Sequence, residues 1–305
     1  MKKLSIVIPC YNEEQTVNKF YEEAQKFMKL IPAVVEYIFI DDGSRDKTLE
    51  QLRKLADQDS SVHYISFSRN FGKEAAILAG FQYASGDAVV LIDADLQHPP
   101  SLIPSMWEYY EEGYDQVIAK RNRIGEKFVR RKLTNLYYKF INRLVDVTIT
   151  DGVGDFRLLS RQALDALLKM TEYNRFSKGL FSWIGFHEKT IEYDNQLRIE
   201  GTSKWSFGSL LNYGMDGILS FNNKPLRIAI YSGMGITFFG FIYILITLIN
   251  YFLHGVETPG YFTTISAIIL LGGIQLLFLG IIGEYIGRIY YETKRRPQYL
   301  IKEKK

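Results

Sequence analysis

Two carboxylates one residue apart directly follow an apolar run in the first third of the chain. Ala88–Ile92 is uncharged, and Asp93, Asp95 and Gln97 come immediately after it. A buried strand that ends in this way carries hard oxygen ligands to the carboxyl edge of a sheet, where open α/β folds bind their ligands. Such ligands suit Mg²⁺ or Mn²⁺, ions that bridge the phosphates of nucleotides. A solvated turn is the alternative for a single Asp-x-Asp pair.

Polar groups also follow the other predicted strands. Leu4–Pro9 leads to Tyr11 and Glu13, and Val34–Ile40 leads to Asp41–Ser44. Since parallel strands end at the same edge of a sheet, one carboxylate there could bind the base of a nucleotide and another its ribose, while the ion holds the diphosphate. A turn followed by a helix cap is the alternative for the second motif. Because this motif and the Asp-x-Asp pair both occur at strand ends of one chain, a binding site is favoured over two unrelated turns.

Strands and helices alternate through roughly the first 120 residues. The alternation predicts an α/β, Rossmann-like domain with a parallel sheet covered by helices on both faces. A polar turn is predicted from Thr150 to Asp155. The predicted strands are Leu4–Pro9, Val34–Ile40, Val62–Phe67, Ala88–Ile92 and Val117–Ala119, and the predicted helices are 16–30, 48–57, 73–84 and 126–145.

Two stretches near the C-terminus, about 228–253 and 262–286, are long and apolar enough to cross a bilayer, which takes about 20 apolar residues. A buried hairpin of a soluble protein is the alternative. Just before them, residues 204–226 have helical spacing that predicts an amphipathic helix in the membrane interface, or else an ordinary surface helix. Lys and Arg lie outside the pair of spans, and the connection between the spans has none. The positive-inside rule therefore predicts that both termini are cytoplasmic, in a multi-pass protein of the cell membrane.

Composition excludes two other classes of protein. The net charge of +3 does not indicate a nucleic-acid-binding protein. Cys10 is the one cysteine, so no disulfide can form within the chain, and we expect it to be packed rather than nucleophilic. The four histidines have no spacing typical of a zinc site, and we interpret them as structural.

Taken together, four motifs resemble the family-2 glycosyltransferases of the GT-A fold, and more narrowly the polyprenyl-phosphate glycosyltransferases. That group includes dolichyl-phosphate mannose synthases and bacterial bactoprenol glucosyltransferases. The resemblance implies a cytoplasmic GT-A domain over residues 1–203, an interfacial helix over 204–226, a transmembrane domain over 227–289 and a basic cytoplasmic tail over 290–305. The motifs are Val7-Ile-Pro-x-Tyr-Asn-Glu13, Asp41-Asp-Gly-Ser-x-Asp46, Asn70-x-Gly-Lys73 and Asp93-Ala-Asp-Leu-Gln-His-Pro-Pro100.

The resemblance also implies roles for single residues. Asp42 would contact the base and Asp93 the ribose and diphosphate, while Asp95 and Gln97, next to Asp93, would hold the divalent ion. The pocket for the nucleotide sugar would be completed by Pro9, Tyr11, Glu13, Arg121 and Lys204. The phosphate of the lipid acceptor would be bound by Arg121, Arg131 and Asn135. The pair Arg130 and Thr134 has the same spacing as Arg131 and Asn135, so the register stays open. A face exposed to solvent or lipid headgroups is the alternative for this basic helix.

Asp155 aligns with the acidic residue proposed to be catalytic in the bacterial members, and the mannose synthases carry Ser there. In this interpretation the nucleophile is a phosphate monoester, whose second pKa is about 6, so it is mostly dianionic at neutral pH. It needs little deprotonation, unlike a sugar hydroxyl. We therefore expect Asp155 to orient the sugar or the acceptor rather than to act as a base.

The predicted function is inverting transfer of a sugar from a nucleotide sugar, UDP-glucose or UDP-N-acetylglucosamine, to undecaprenyl phosphate at the cytoplasmic membrane surface, for cell-envelope glycosylation. A processive polysaccharide synthase is one alternative, although the Gln-x-x-Arg-Trp motif typical of those enzymes is absent. A membrane protein that binds a nucleotide sugar without catalysis is the other. Glycine pairs such as Gly283 and Gly287 would permit a homo-oligomer.

Overall fold

A computed structural model describes residues 1–122, 152–194, 224–254 and 260–305. Most elements begin and end within two residues of their predicted bounds. The strands are β1 (Lys3–Cys10), β2 (Val34–Asp41), β3 (Val62–Phe67), β4 (Ala88–Leu91), β5 (Gln116–Arg121), β6 (Val153–Ser160), β7 (Glu188–Tyr193) and β8 (Ile301–Lys304). The helices are α1 (Val17–Met28), α2 (Thr48–Gln58), α3 (Lys73–Tyr83), α4 (Ile103–Glu111, after a 3₁₀ turn at Pro100–Leu102), α5 (Arg161–Leu168), α6 (Ser177–Trp183), α7 (Lys224–His254) and α8 (Tyr261–Lys294).

The described strands form one mixed sheet in the order β7-β5-β6-β4-β1-β2-β3-β8. Its centre is the predicted parallel unit, in which β1 pairs with β2 and β4, and β2 pairs with β3. The flanks were not predicted: β6 is antiparallel between β4 and β5, and β8 is antiparallel to β3. The fold is therefore of the mixed GT-A type rather than wholly parallel.

Hydrophobic side chains cover both faces of the sheet. Along β1, Ile6 and Ile8 belong to one buried cluster and Val7 to the other, as the two-residue period of a strand requires. Helix α3 packs closely on this strand, since a Cβ added at Gly80 would lie 2.1 Å from Val7 Cγ1. This close packing places the first turn of α3 at the carboxyl edge of β1.

The C-terminal helices α7 and α8 contain apolar stretches, Leu226–Tyr243 and Ala267–Lys294, that are long enough to cross a membrane and are not buried in the protein. Phe239 is 70% exposed and Leu276 is 71% exposed. That exposure is contrary to a hairpin buried in a soluble core. The predicted helix 126–145 and residues 204–223 of the predicted interfacial helix lie outside the described residues.

Candidate active site

The carboxyl ends of β1, β2 and β4 border a cavity of about 340 Å³. Its volume is within the range of about 300–1,000 Å³ that is common for ligand sites. The cavity brings together six of the predicted site residues, which come from the ends of three strands and the loops that follow them. They are Pro9, Tyr11, Glu13, Asp42, Asp93 and Asp95.

Hydrogen bonds join the loop after β1 to the loop after β2. The Asn12 N–H donates to Ser44 Oγ at 2.9 Å, and the Arg45 N–H donates to Asn12 Oδ1 at 2.9 Å. The Glu13 N–H donates to Thr48 Oγ1 at 2.8 Å. Asn12 has a φ of 53°, which asparagine tolerates better than most residues. The two loops therefore form one wall of the cavity.

Asp42 holds the start of α3 against the end of β2. Its Oδ1 accepts the Phe71 N–H at 2.6 Å and its Oδ2 accepts the Gly72 N–H at 2.9 Å. Burial raises the pKa of Asp42 to about 6, although the two N–H groups act in the opposite direction. The carboxylate predicted to contact the base is thus fixed in position by backbone donors.

Asp93, Asp95 and Gln97 alternate with the buried Ala94 and Leu96 in the segment after β4. The Gln97 N–H donates to Asp95 Oδ1 at 3.1 Å, and Leu96 has a φ of 57°, so the chain turns sharply here. Within the described residues, no cluster of three or more His, Cys, Asp or Glu side chains is arranged to hold a metal ion. The predicted set has two carboxylates and one amide, and these hard oxygen donors suit Mg²⁺ or Mn²⁺.

Lys73 links two acidic residues of the site. Its Nζ lies 2.7 Å from Asp93 Oδ1 and 2.7 Å from Asp155 Oδ2. Burial disfavours the charges of Lys73 and Asp155. The two carboxylates outweigh the effect of burial on Lys73 and raise its pKa. The charges of Lys73 and Lys178 outweigh the effect of burial on Asp155 and hold its pKa well below the usual range. The sequence motif contained Lys73, but this role was not predicted from it.

Strand register brings Asp155 to the site. Leu91 on β4 is opposite Arg157 on β6, and the antiparallel register, continued by two residues, places Asp93 opposite Asp155. The prediction of a polar turn from Thr150 to Asp155 was wrong at its C-terminal end, because β6 already begins at Val153. Asp155 is therefore held by a strand and not by a loop.

Arg121 ends β5 on the side of the site next to β6. Tyr193 is opposite Arg121 in the β5–β7 register, and its hydroxyl lies 2.6 Å from His98 Nδ1. His98 is buried, and burial lowers its pKa. The contact with Tyr193 agrees with a structural role for His98, and the predicted phosphate ligand Arg121 adjoins this pair at the end of β5.

Cys10 is buried at the cavity wall, and burial raises the pKa of its thiol well above its usual value. A protonated, enclosed thiol is a poor nucleophile, which agrees with the predicted packing role. Three other predicted site residues, Lys204, Arg131 and Asn135, lie outside the described residues.

The chain matches two sequence families. Residues 5–168 match the family described as glycosyl transferase family 2, and residues 224–289 match the GtrB C-terminal hairpin. The first match runs from within β1 to the end of α5 and contains the residues that line the cavity. The second begins with α7 and ends within α8.

Relatives align with this chain over almost its whole length. CsbB of Bacillus subtilis (strain 168) is 61% identical over 98% of this chain and 91% of that protein. The bactoprenol glucosyl transferase of Shigella phage SfV is 41% identical over 99% of both chains. Among solved structures, glucosyl-3-phosphoglycerate synthase of Mycobacterium tuberculosis with Mn²⁺, UDP-glucose and phosphoglyceric acid is 20% identical, with a TM-score of 0.48 over 72% of this chain and 79% of that one.

Proposed function

Because this chain belongs to glycosyl transferase family 2, we propose that it transfers glucose from UDP-glucose to undecaprenyl phosphate at the cytoplasmic surface of the membrane. The observation that carries the proposal is the convergence of Asp42, Asp93 and Asp95 on one cavity, in a chain that also has two exposed apolar helices. The 41% identity to a bactoprenol glucosyl transferase supports both the sugar and the lipid.

In the proposed reaction, an oxygen of the acceptor phosphate forms a bond to the anomeric carbon. The bond from that carbon to the diphosphate oxygen breaks, and UDP leaves with the electron pair. Attack from the opposite side would invert the configuration of the sugar. No proton has to be removed from the nucleophile, since a phosphate monoester is mostly dianionic above a pH of about 6.

The residues around the cavity suit an anionic leaving group. The first turn of α3 and Lys73 lie on the cavity wall, and a helix N-terminus and an ammonium group both favour developing negative charge. Asp93, Asp95 and Gln97 would hold Mg²⁺ or Mn²⁺, which when bound acts as a Lewis acid on the diphosphate. Asp155, held by Lys73, would accept hydrogen bonds from sugar hydroxyls.

The two substrates explain why a soluble-type domain is joined to apolar helices. UDP-glucose is water-soluble, whereas the phosphate of the acceptor stays in the headgroup layer. We propose that α7 and α8 span the bilayer and place both chain ends in the cytoplasm, since Lys224 and Arg227 lie at the start of α7 and Arg288 and Lys294 near the end of α8. Anchoring would raise the effective concentration of the acceptor at the cavity.

The test is to incubate membranes containing the protein with a panel of labelled nucleotide sugars, undecaprenyl phosphate and Mg²⁺. Label from UDP-glucose that enters the organic phase supports the proposal. Label in a polymer would indicate a processive synthase, and binding without transfer would indicate a non-catalytic protein. Membranes with the Asp95→Asn variant serve as the control.

A further inference from the structure

The chain returns to the catalytic domain after the second apolar helix. Helix α8 ends at Lys294, Arg295 adopts a left-handed conformation with a φ of 47°, and β8 then pairs antiparallel with β3. Backbone hydrogen bonds continue beyond both ends of β8. The Ser68 N–H donates to Leu300 O at 2.9 Å, and the Lys305 N–H donates to Tyr64 O at 3.0 Å. We call residues 291–305 the C-terminal strap.

Side chains of the strap contact several elements of the catalytic domain. The ring of Tyr299 stacks on Phe67 of β3, with centroids 4.8 Å apart and planes 16° apart. The Arg53 guanidinium of α2 donates to both carboxylate oxygens of Glu303, at 2.8 Å and 2.6 Å. Lys305 Nζ lies 2.5 Å from Asp57 Oδ1. The strap therefore covers the edge of β3 and also binds helix α2.

A second group of contacts joins the end of α8 to the segment before α6. The Tyr173 N–H donates to Glu292 Oε1 at 2.7 Å, and the Tyr173 ring stacks on Tyr291 with planes 6° apart. Gln298 Nε2 donates to the carbonyl oxygen of Glu172 at 2.7 Å. The catalytic domain is thereby attached to the membrane-side end of the strap as well as to its terminal strand.

The strap also lies close to the nucleotide side of the cavity. Phe67, on which Tyr299 stacks, contacts Phe71 at 5.8 Å between ring centroids. The Phe71 N–H in turn donates to Asp42 at 2.6 Å. The strap therefore pairs with β3, and the loop that follows β3 provides the N–H groups that hold Asp42.

From these contacts we propose that the C-terminal strap positions the active site: it holds the donor cavity at one distance and tilt relative to α8, where a lipid-borne phosphate can reach it. This proposal rests on the proposed function, since it assumes an acceptor confined to the membrane. Residues 195–223 provide one covalent link between the domain and α7, and the strap provides a second attachment. Two attachments restrict rotation about one link and so raise the effective concentration of the acceptor.

The test uses the full-length protein in vesicles that contain undecaprenyl phosphate. The variant Tyr299→Ala/Glu303→Arg removes the stacked ring and places two like charges together at Arg53. We expect transfer to fall by at least about tenfold, a fraction of the ~100- to 10,000-fold that a second attachment can contribute. We expect the dissociation constant for UDP to stay at the wild-type value, because no cavity residue changes, whereas the melting temperature should fall because the Tyr299 ring packs on a core cluster.

Two further variants make the result specific. Adding Arg53→Glu to Glu303→Arg exchanges the charges and should restore the transfer that Glu303→Arg alone loses. Lys302→Ala, on the exposed residue beside Glu303, should leave transfer unchanged. If UDP binding weakens in parallel with transfer, the strap only supports the fold of the catalytic domain and the proposal is wrong. Unchanged transfer in both strap variants would contradict it equally.

Failure of the strap proposal and failure of the proposed function give different results. If the wild-type protein binds UDP but labels no prenyl lipid, the proposed function is wrong. If the wild-type protein labels the lipid and the charge-exchanged pair behaves no better than Glu303→Arg alone, the strap proposal is wrong while the proposed function stands.

Discussion

Lys73, together with Lys178, keeps Asp155 ionised by lowering its pKa. The Lys73 ammonium group is 2.7 Å from the Asp155 carboxylate and 2.7 Å from that of Asp93. A carboxylate whose pKa is held well below its usual range takes up a proton poorly, so it is a weak general base. At the scale of single residues, the site would therefore orient the substrates of the proposed reaction and stabilise its leaving group rather than remove a proton.

We predict that Asp155→Asn reduces transfer by less than about 100-fold, the lower end of what loss of a general base costs. Asp95→Asn should reduce it by about 1,000-fold, because a lost metal ligand forfeits several kcal/mol of charge stabilisation. Initial rates at saturating UDP-glucose and Mg²⁺ compare the two variants. Equal losses would mean that Asp155 does act as a base.

The pH profile of the same variants provides a second readout. The Asp155 carboxylate stays ionised in the folded protein far below neutral pH, since its pKa is lowered. The wild-type kcat should therefore rise only with ionisation of the acceptor phosphate, whose second pKa is about 6, and then stay level. Asp155→Asn should keep this profile. A rise in the wild-type enzyme that disappears in Asp155→Asn would contradict the assignment.

At the scale of elements, the backbones of the loops after β2 and β3 are in contact next to the cavity residues Asp42 and Asn70. Gly43 has a φ of 64°, and a Cβ added there would lie 2.3 Å from the Arg69 carbonyl carbon and 2.7 Å from the Asn70 nitrogen. Neither loop can move away, because Asp42 binds the N–H groups of Phe71 and Gly72. Glycine is required here both for its conformation and for its small size.

We predict that Gly43→Ala weakens UDP binding and lowers the free energy of unfolding by more than the ~1–2 kcal/mol cost of a left-handed alanine. Gly113→Ala is the matched control: Gly113 has a φ of 99°, and a Cβ added there would meet no atom within 4 Å, so only the conformational cost applies. Urea unfolding and calorimetric titration with UDP measure both effects. Similar results for the two variants would show that the close approach at Gly43 is unimportant.

At the scale of the whole molecule, a polar catalytic domain is attached to helices whose apolar side chains face outward. Phe239 and Leu276 are 70% and 71% exposed, and many other apolar side chains of α7 and α8 are exposed as well. An apolar surface of this extent needs an apolar environment. A bilayer would provide one, and in the proposed orientation the Lys and Arg residues at the outer ends of the two helices lie on its cytoplasmic side.

Cysteine labelling tests this orientation. Cys10 is the one cysteine of the chain and is buried, so a thiol reagent should label only the introduced cysteine. Thr258→Cys, between the two helices, should react with an impermeant maleimide in intact cells. Lys302→Cys, near the C-terminus, should react only after the membrane is permeabilised. The reverse pattern would place the catalytic domain outside the cell, away from cytoplasmic nucleotide sugars.

Local sequence patterns were enough to predict the alternation of strands and helices, the polar groups at the ends of β1, β2 and β4, and the two apolar helices. Each of these depends on neighbours along the chain: side-chain periodicity, turn residues and the absence of charge. For the same reason, Pro9, Tyr11, Glu13, Asp42, Asp93 and Asp95 could be predicted as one site, since parallel strands end at a common edge.

How distant segments meet depends on tertiary packing and could not be predicted in this way. Asp155 reaches Asp93 because β6 is inserted antiparallel beside β4, and Lys73 then bridges the two carboxylates. The predicted basic tail contains β8, which pairs with a strand more than two hundred residues earlier in the chain. Local patterns specify which segments are strands, but the choice of partner depends on the packing of the whole domain, which no short stretch of sequence encodes.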